Sequence, residues 1–284
     1  MQEIKDKFKE LINENVQSNN LLYRKKLKPY YKLLNDNKSK LKFYKYCNAE
    51  YYAIRNIEKG TLAFKKCSEF NDPFEGIALT VDENDKKYLD IIRDNAMITC
   101  LSEKKNDLLM FAHYADSFKG FCIEYDLSLL EDSIYQKITS YFFPVIYAPK
   151  PEDLRYKNIL SEYILNHIKA IEEHKLSLKK LDDITLYFVH KAKIWEYENE
   201  WRFIVTLDQY RNAFDIFGNV NSKVILFKDF DCISSIYLGL NIAEDKKEHI
   251  TEIVKRLNNE RINRPKIKLY ETSLNDKEYK IDEK

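Results

Sequence analysis

Four charged residues alternate along W-E-Y-E-N-E-W-R-F, residues 195–203: Glu196, Glu198, Glu200 and Arg202. Read with the two-residue period of a strand, they share one face, and Tyr197, Asn199, Trp201 and Phe203 share the other. The residues that follow, Phe203-Ile204-Val205, are strongly strand-forming. Three carboxylates on one face repel each other. A fold tolerates that at a solvated edge, or where a ligand, a cation or an arginine compensates the charge. The stretch therefore reads either as an edge strand with its polar face in water or as the wall of a site anchored by Trp201 and Phe203.

Two other segments carry residues with chemical potential. In F-N-D-P-F-E, residues 70–75, the proline biases Asp72 away from helix and Asn-Asp favours a turn. The two phenylalanines would anchor the loop and leave Asn71, Asp72 and Glu75 on a stiff turn, as ligand contacts or as a structural Asx-turn. Further on, Asn106 or Asp107 can cap a short helix over 108–116. On it Leu109 and His113 lie four apart, as do Met110 and Tyr114. His113 is then either a core histidine with one hydrogen bond or a general base. Asp72, Glu75, His113 and Glu200 could together supply hard ligands for metal-assisted cleavage of nucleic acid. No H-E-x-x-H or paired D-x-D supports this, and no metal is expected.

These residues need a scaffold, and its pattern is α+β with mixed or antiparallel twisted sheets. Residues 1–36 read as helical, with Phe8, Leu11 and Ile12 as one apolar stripe and Leu21, Leu22 and Tyr23 as the start of another. Pro29 opens a helix that runs through Leu34. The expected core runs from 41 to 272. Its first strand carries Phe43 and Lys45 on one side and Tyr44 and Tyr46 on the other. A helix over 48–59 follows, closed by Gly60, and then a strand over 61–64. Further strands are expected at 96–101, 121–125, 142–148, 223–227, 233–240 and 266–272. Two helices, 152–175 and 178–193, form an inserted pair that leads into the charged stretch. His167, His174 and His190 ride on that pair without metal spacing, in solvated or capping roles. A helix over 243–258 between two strands suggests a crossover connection, and residues 273–284 read as a frayed tail. The organisation expected is a helical extension over 1–40, a single α+β domain over 41–272 with its insertion at 152–193, and the tail.

Bulk properties narrow the function classes. The chain has 284 residues, 44% hydrophobic and 33% charged, which suits a globular protein with a sizeable core. It has 21 Tyr and 16 Phe but only 5 Gly, and neither G-x-G-x-x-G nor a P-loop motif occurs, which disfavours those nucleotide folds. The net charge of +1 exerts no global pull on nucleic acid, although residues 1–45 carry 12 Lys/Arg against 5 Asp/Glu. That basic arm is either a solvated helical face or a contact for nucleic acid or an acidic partner. The five cysteines are scattered and have no zinc spacing. With no signal peptide and no apolar run near 18 residues, a cytoplasmic, reduced protein without a membrane partner is expected.

Four motifs in order resemble a known family. They are Tyr44-Lys45-Tyr46 with its strand-helix-Gly unit, F-N-D-P-F-E at 70–75, C-L-S-E at 100–103 running into M-F-A-H-Y-A-D and K-G-F-C-I-E-Y, and K-I-W-E-Y-E-N-E-W-R-F at 193–203. This order resembles the bacterial domain-of-unknown-function family 2971, over about residues 42–272. A more distant resemblance is to the ADP-ribosyltransferase-like fold, including the DarT-type toxins. That resemblance implies a split sheet core, NAD as substrate, and ADP-ribosyl transfer or NAD hydrolysis in a defence toxin. It implies that Glu198 and Glu200 face the ribose and the acceptor, where a carboxylate steadies an oxocarbenium-like centre. Arg202 would meet a phosphate. Tyr44 and Tyr46 stand where that fold often presents His or Arg, and Ser102 or Tyr114 would supply the second motif. An alternative of another class is a sensor that binds a nucleotide or a protein without turnover.

Overall fold

The computed structural model describes residues 1–17, 24–72, 93, 96–149, 188–206, 225–227 and 230–283. The helices are α1 (Gln2–Gln17), α2 (Lys28–Asp36), α3 (Tyr51–Lys59), α4 (Leu108–Tyr114), α5 (Asp132–Thr139) and α6 (Glu244–Glu260). The strands are β1 (Lys42–Cys47), β2 (Leu62–Lys66), β3 (Ala96–Ser102), β4 (Phe121–Asp126), β5 (Phe142–Pro144), β6 (Ile146–Ala148), β7 (His190–Ala192), β8 (Glu200–Thr206), β9 (Ile225–Phe227), β10 (Ile233–Leu238), β11 (Lys268–Leu274) and β12 (Ile281–Glu283). The class is α+β with mixed strand pairing, as the pattern implied. The chain forms two compact units that interleave in sequence. One comprises Met1–Asn37, Ala63–Cys100 and Gln136–Leu226, and the other Lys38–Leu62, Leu101–Tyr135 and Phe227–Lys284.

In the first unit, the N-terminal helices are part of the core. Phe8, Tyr30 and Phe143 are buried together, with Phe8 5.0 Å from Tyr30 and 5.6 Å from Phe143 between ring centroids. Tyr30 Oη donates 2.5 Å to the carbonyl of Phe142. Pro29 stands in the first turn of α2, where its missing N–H goes unused. Strand β5 pairs antiparallel with β8, and Phe142 stacks 4.2 Å from Phe203 and 5.0 Å from Trp201. The single strand expected over 142–148 is two strands. Pro144 has no N–H for a ladder, and Val145 turns its N–H to the carbonyl of Glu200 at 2.9 Å. The last residues of the expected helix over 178–193 are not α-helical. His190–Ala192 is β7, paired parallel with β6, and His190 is buried in it rather than solvated. Residues 152–187 of the expected helical pair, Leu21–Tyr23 with their stripe, His167 and His174, and the start of the strand at 223–227 lie outside the described residues.

The second unit is built on a sheet in the order β12-β11-β10-β4-β1. Strands β10 and β11 pair parallel, as the crossover through α6 requires, and the other pairs are antiparallel. Helix α3 buries Ala53, Ile54 and Ile57 and ends on Gly60 at φ 56°, and Thr61 N–H closes back on the Asn56 carbonyl at 3.0 Å. That is the left-handed closure glycine permits without strain. Residues 281–283 are not frayed. They pair with β11, and Ile281 is buried. Gly120 is required for space: a Cβ there would lie 2.0 Å from the Cys47 carbonyl oxygen.

Candidate functional site

The charged stretch is not one strand. Lys193–Glu198 winds as a 3₁₀ turn, Asn199 takes left-handed angles (φ 43°, ψ 53°), and the strand begins only at Glu200. Asn tolerates that region because its short side chain avoids the Cβ clash that bars most residues. The turn separates the glutamates. Glu196 stays exposed and pairs with Lys193 at 2.5 Å. Glu198 and Glu200 turn inward, so the solvated edge is not what forms, and residues 200–205 of β8 are buried on both faces.

The compensating charges form a chain of alternating sign within the first unit. Lys191 Nζ lies 2.5 Å from Glu198 Oε2 and 3.0 Å from Glu200 Oε2. Arg202 Nε lies 2.7 Å from Glu200 Oε1 and Nη2 3.2 Å from Oε2, a forked pair. Arg202 Nη1 donates to the carbonyl of Phe188. The Glu200 backbone N–H donates to Tyr147 Oη at 2.8 Å. Phe70 and Trp195 lie beside the two cations, 5.9 Å from Arg202 Cζ and 5.0 Å from Lys191 Nζ to the ring centroids. Arg202 is 0% exposed and Glu200 4%. Burial pushes the Glu200 carboxyl up, but the charges of Arg202 and Lys191 outweigh it and hold the group well below the ordinary carboxylate range. Burial likewise lowers Lys191, and Glu200 and Glu198 more than reverse that, so its ammonium is held above the usual lysine value. The neighbouring Cys100 thiol is pushed up, first by burial and then by the Glu200 charge.

A second buried carboxylate, Glu124 on β4, organises the polar sheet face of the second unit. The strand period puts Cys122 and Glu124 on that face, and their partners in register are Tyr46 and Tyr44 on β1 and Tyr237 and Ser235 on β10. Glu124 Oε2 accepts from Tyr237 Oη at 2.8 Å and from Tyr44 Oη at 3.2 Å. Its Oε1 accepts from Ser234 Oγ at 2.7 Å and Lys42 Nζ at 3.1 Å. Burial raises this carboxyl, and the hydrogen bonds from Ser234, Tyr237 and Lys42 reverse the effect and lower it. The Tyr44 and Tyr237 hydroxyls are pushed well up, chiefly by burial and then by Glu124, through its charge at Tyr44 and first through its hydrogen bond at Tyr237.

The expected site residues fall into two groups. In the first unit, Glu198, Glu200 and Arg202 are joined with Phe70 of the F-N-D-P-F-E segment. Asp72 of that segment is buried and Asn71 exposed, while Glu75 lies outside the described residues. Tyr44, Tyr46, Ser102, His113 and Tyr114 belong to the second unit. Tyr46 Oη donates to the Lys104 carbonyl at 2.7 Å and accepts from Asp107 N–H at 3.1 Å. Ser102 Oγ accepts from Lys104 N–H at 2.9 Å. Asp107, not Asn106, caps α4, accepting from the N–H groups of Leu109 and Met110. His113 and Leu109 take the exposed face of that helix, so His113 is no core histidine. Its ring meets Tyr114 edge-on at 6.2 Å. Among the described residues, no group of three His, Cys, Asp or Glu could hold a metal ion, and no helix is long and apolar enough to cross a membrane.

Lys191, in an expected helix, and Glu124, in the K-G-F-C-I-E-Y segment, are functional residues that sequence reasoning missed. A signal for Glu124 existed: one carboxylate in an otherwise apolar strand is the informative kind of buried polar residue.

The molecule is thus an α+β protein with two saturated, buried carboxylate centres. Residues 110–203, which hold both Glu124 and the Glu198–Arg202 chain, match the model of the family described as protein of unknown function, DUF2971. No curated protein and no solved structure matches the chain.

Proposed function

We propose that this protein binds a nucleotide, NAD, and transfers or hydrolyses its ADP-ribosyl group, with Glu200 as the carboxylate facing the ribose. One observation carries the reading: Arg202 and Lys191 hold Glu200 ionised in a site shielded from water. As the bond between ribose C1′ and the nicotinamide nitrogen breaks, its electron pair leaves with nicotinamide. Positive charge then develops on the ribose, and an ionised carboxylate stabilises it. A general acid would need the opposite protonation state. Lys191 is the exchangeable partner. It has Glu198 as a second partner when it releases Glu200, and Arg202 still fixes the carboxylate. That opens a position on Glu200 Oε2, beside Arg202 Nη2, for a ribose hydroxyl, and water or a macromolecular nucleophile completes the reaction.

The test is incubation with NAD while free nicotinamide and labelled macromolecule are measured. The expected outcome is nicotinamide release that falls at least about 100-fold in Glu200→Gln, in line with the loss of one charge-stabilising group. Intact NAD after prolonged incubation sinks the reading. A second reading, a sensor that binds without turnover, is favoured by the engagement of both Glu200 oxygens by cations of the same chain. It predicts that NAD raises the melting temperature with no product formed.

A further inference from the structure

On the polar sheet face of the second unit, one row across the strands runs Tyr46, Cys122, Tyr237, Tyr270, from β1 through β4 and β10 to β11. Tyr237 and Tyr270 stack with their planes 7° apart and centroids 5.1 Å apart. Cys122, between Tyr46 and Tyr237, is the one small residue in the row. The loop after β3 brings its own Lys105 to this row. The Lys105 ammonium lies over the Tyr237 ring at 5.4 Å from the centroid and ion-pairs with Glu283 on β12. Its charge reaches the Cys122 thiol as well. The loop is strapped down at two further points. Tyr46 Oη bridges the Lys104 carbonyl and the Asp107 N–H, and Asn106 Nδ2 donates to Glu283 Oε1 at 3.1 Å.

An aromatic face with a carboxylate beside it is the chemistry that recognises organic monocations. A lysine that is nearly half exposed in its side chain gains little from being held there as structure alone. We propose that this row is a binding site for an alkylammonium group and that Lys105 occupies it as an internal competitor. The inference does not rest on the NAD reading, since every residue in it belongs to the second unit.

A tethered competitor acts at an effective concentration of about millimolar. An external amine must displace it, so its apparent affinity is reduced by the fraction of chains in which the site is open. The experiment uses the full chain and n-butylammonium as probe, read by tyrosine fluorescence and by calorimetric titration. Lys105→Ala is expected to bind the probe saturably, at least about 10-fold more tightly than the native chain. Glu283→Gln added to that variant is expected to weaken binding several-fold with the melting temperature unchanged, which separates loss of the counter-charge from loss of fold. A sodium control at equal ionic strength separates recognition of the alkylammonium from screening. No saturable binding by a folded Lys105→Ala chain overturns the proposal. Equal affinity in the native and Lys105→Ala chains overturns it too, because Lys105 would then not compete.

Discussion

Glu200 and Glu124 are both buried carboxylates on interior strands, and both are held below the ordinary carboxylate range, but by different means. Glu200 is neutralised by full charges, a lysine and an arginine that are themselves buried. Glu124 is held mainly by neutral hydroxyls from three residues, and its one cation, Lys42, is 46% exposed in its side chain. An ion network in low dielectric is strong but brittle, because loss of any member strands a buried charge. A hydroxyl-lined carboxylate degrades more gently, because each donor contributes about 1 kcal/mol and water can reach Lys42.

The largest expected effect follows directly. Glu200→Ala should lower unfolding free energy by about 3–5 kcal/mol, since it strands Arg202 and half of the Lys191 pairing. Glu124→Ala should lose clearly less. Denaturant midpoints at constant m-value measure both, and equal losses would erase the distinction. Next in size is the acid limb. A folded-state value below the unfolded one means Glu200 contributes stability that is complete above about pH 4.3 and disappears as pH falls through the lowered value. Lys191→Met removes one of the two charges that lower it, so acid destabilisation should begin at higher pH than in the native chain. An acid limb that does not move would mean Arg202 alone sets the ionisation. Smaller again, Tyr44→Phe and Tyr237→Phe should each lose about 1 kcal/mol and raise the Glu124 value, which carboxyl carbon NMR titration reads directly. The smallest effect is expected at the exposed end of the same stretch. Lys193→Ala breaks the pair with Glu196 at the surface and should change stability by no more than about 0.5 kcal/mol.

Much of the scaffold was legible from residue patterns. Gly60 as a helix stop, Asp107 as one of two candidate caps, Pro29 inside a first turn and the crossover before β11 are local signals, decided within one turn of chain. The anchor roles of Trp201 and Phe203 were legible for the same reason, since alternation reports burial of a face. The errors arose where local signals compete. Residues 195–198 alternate as a strand would, but the left-handed Asn199 and the ion pair of Lys193 with Glu196 favour a 3₁₀ turn. His190–Ala192 follows a helical pattern, yet pairing with β6 overrides it.

The sequence by itself determined which residues could bear charge on β8, that Arg202 shares a face with Glu200, and that most of the strands and helices among the described residues form where they do. These are properties of neighbours a few positions apart, fixed by covalent geometry. Only the tertiary structure decided that Glu198 and Glu200 face inward, that Lys191 bridges them, and that Glu124 gathers hydroxyls from β1 and the 233–238 strand. Partners on separate segments meet only through strand pairing and packing, and burial, which strengthens every one of those interactions, belongs to the assembled core and to no segment of it.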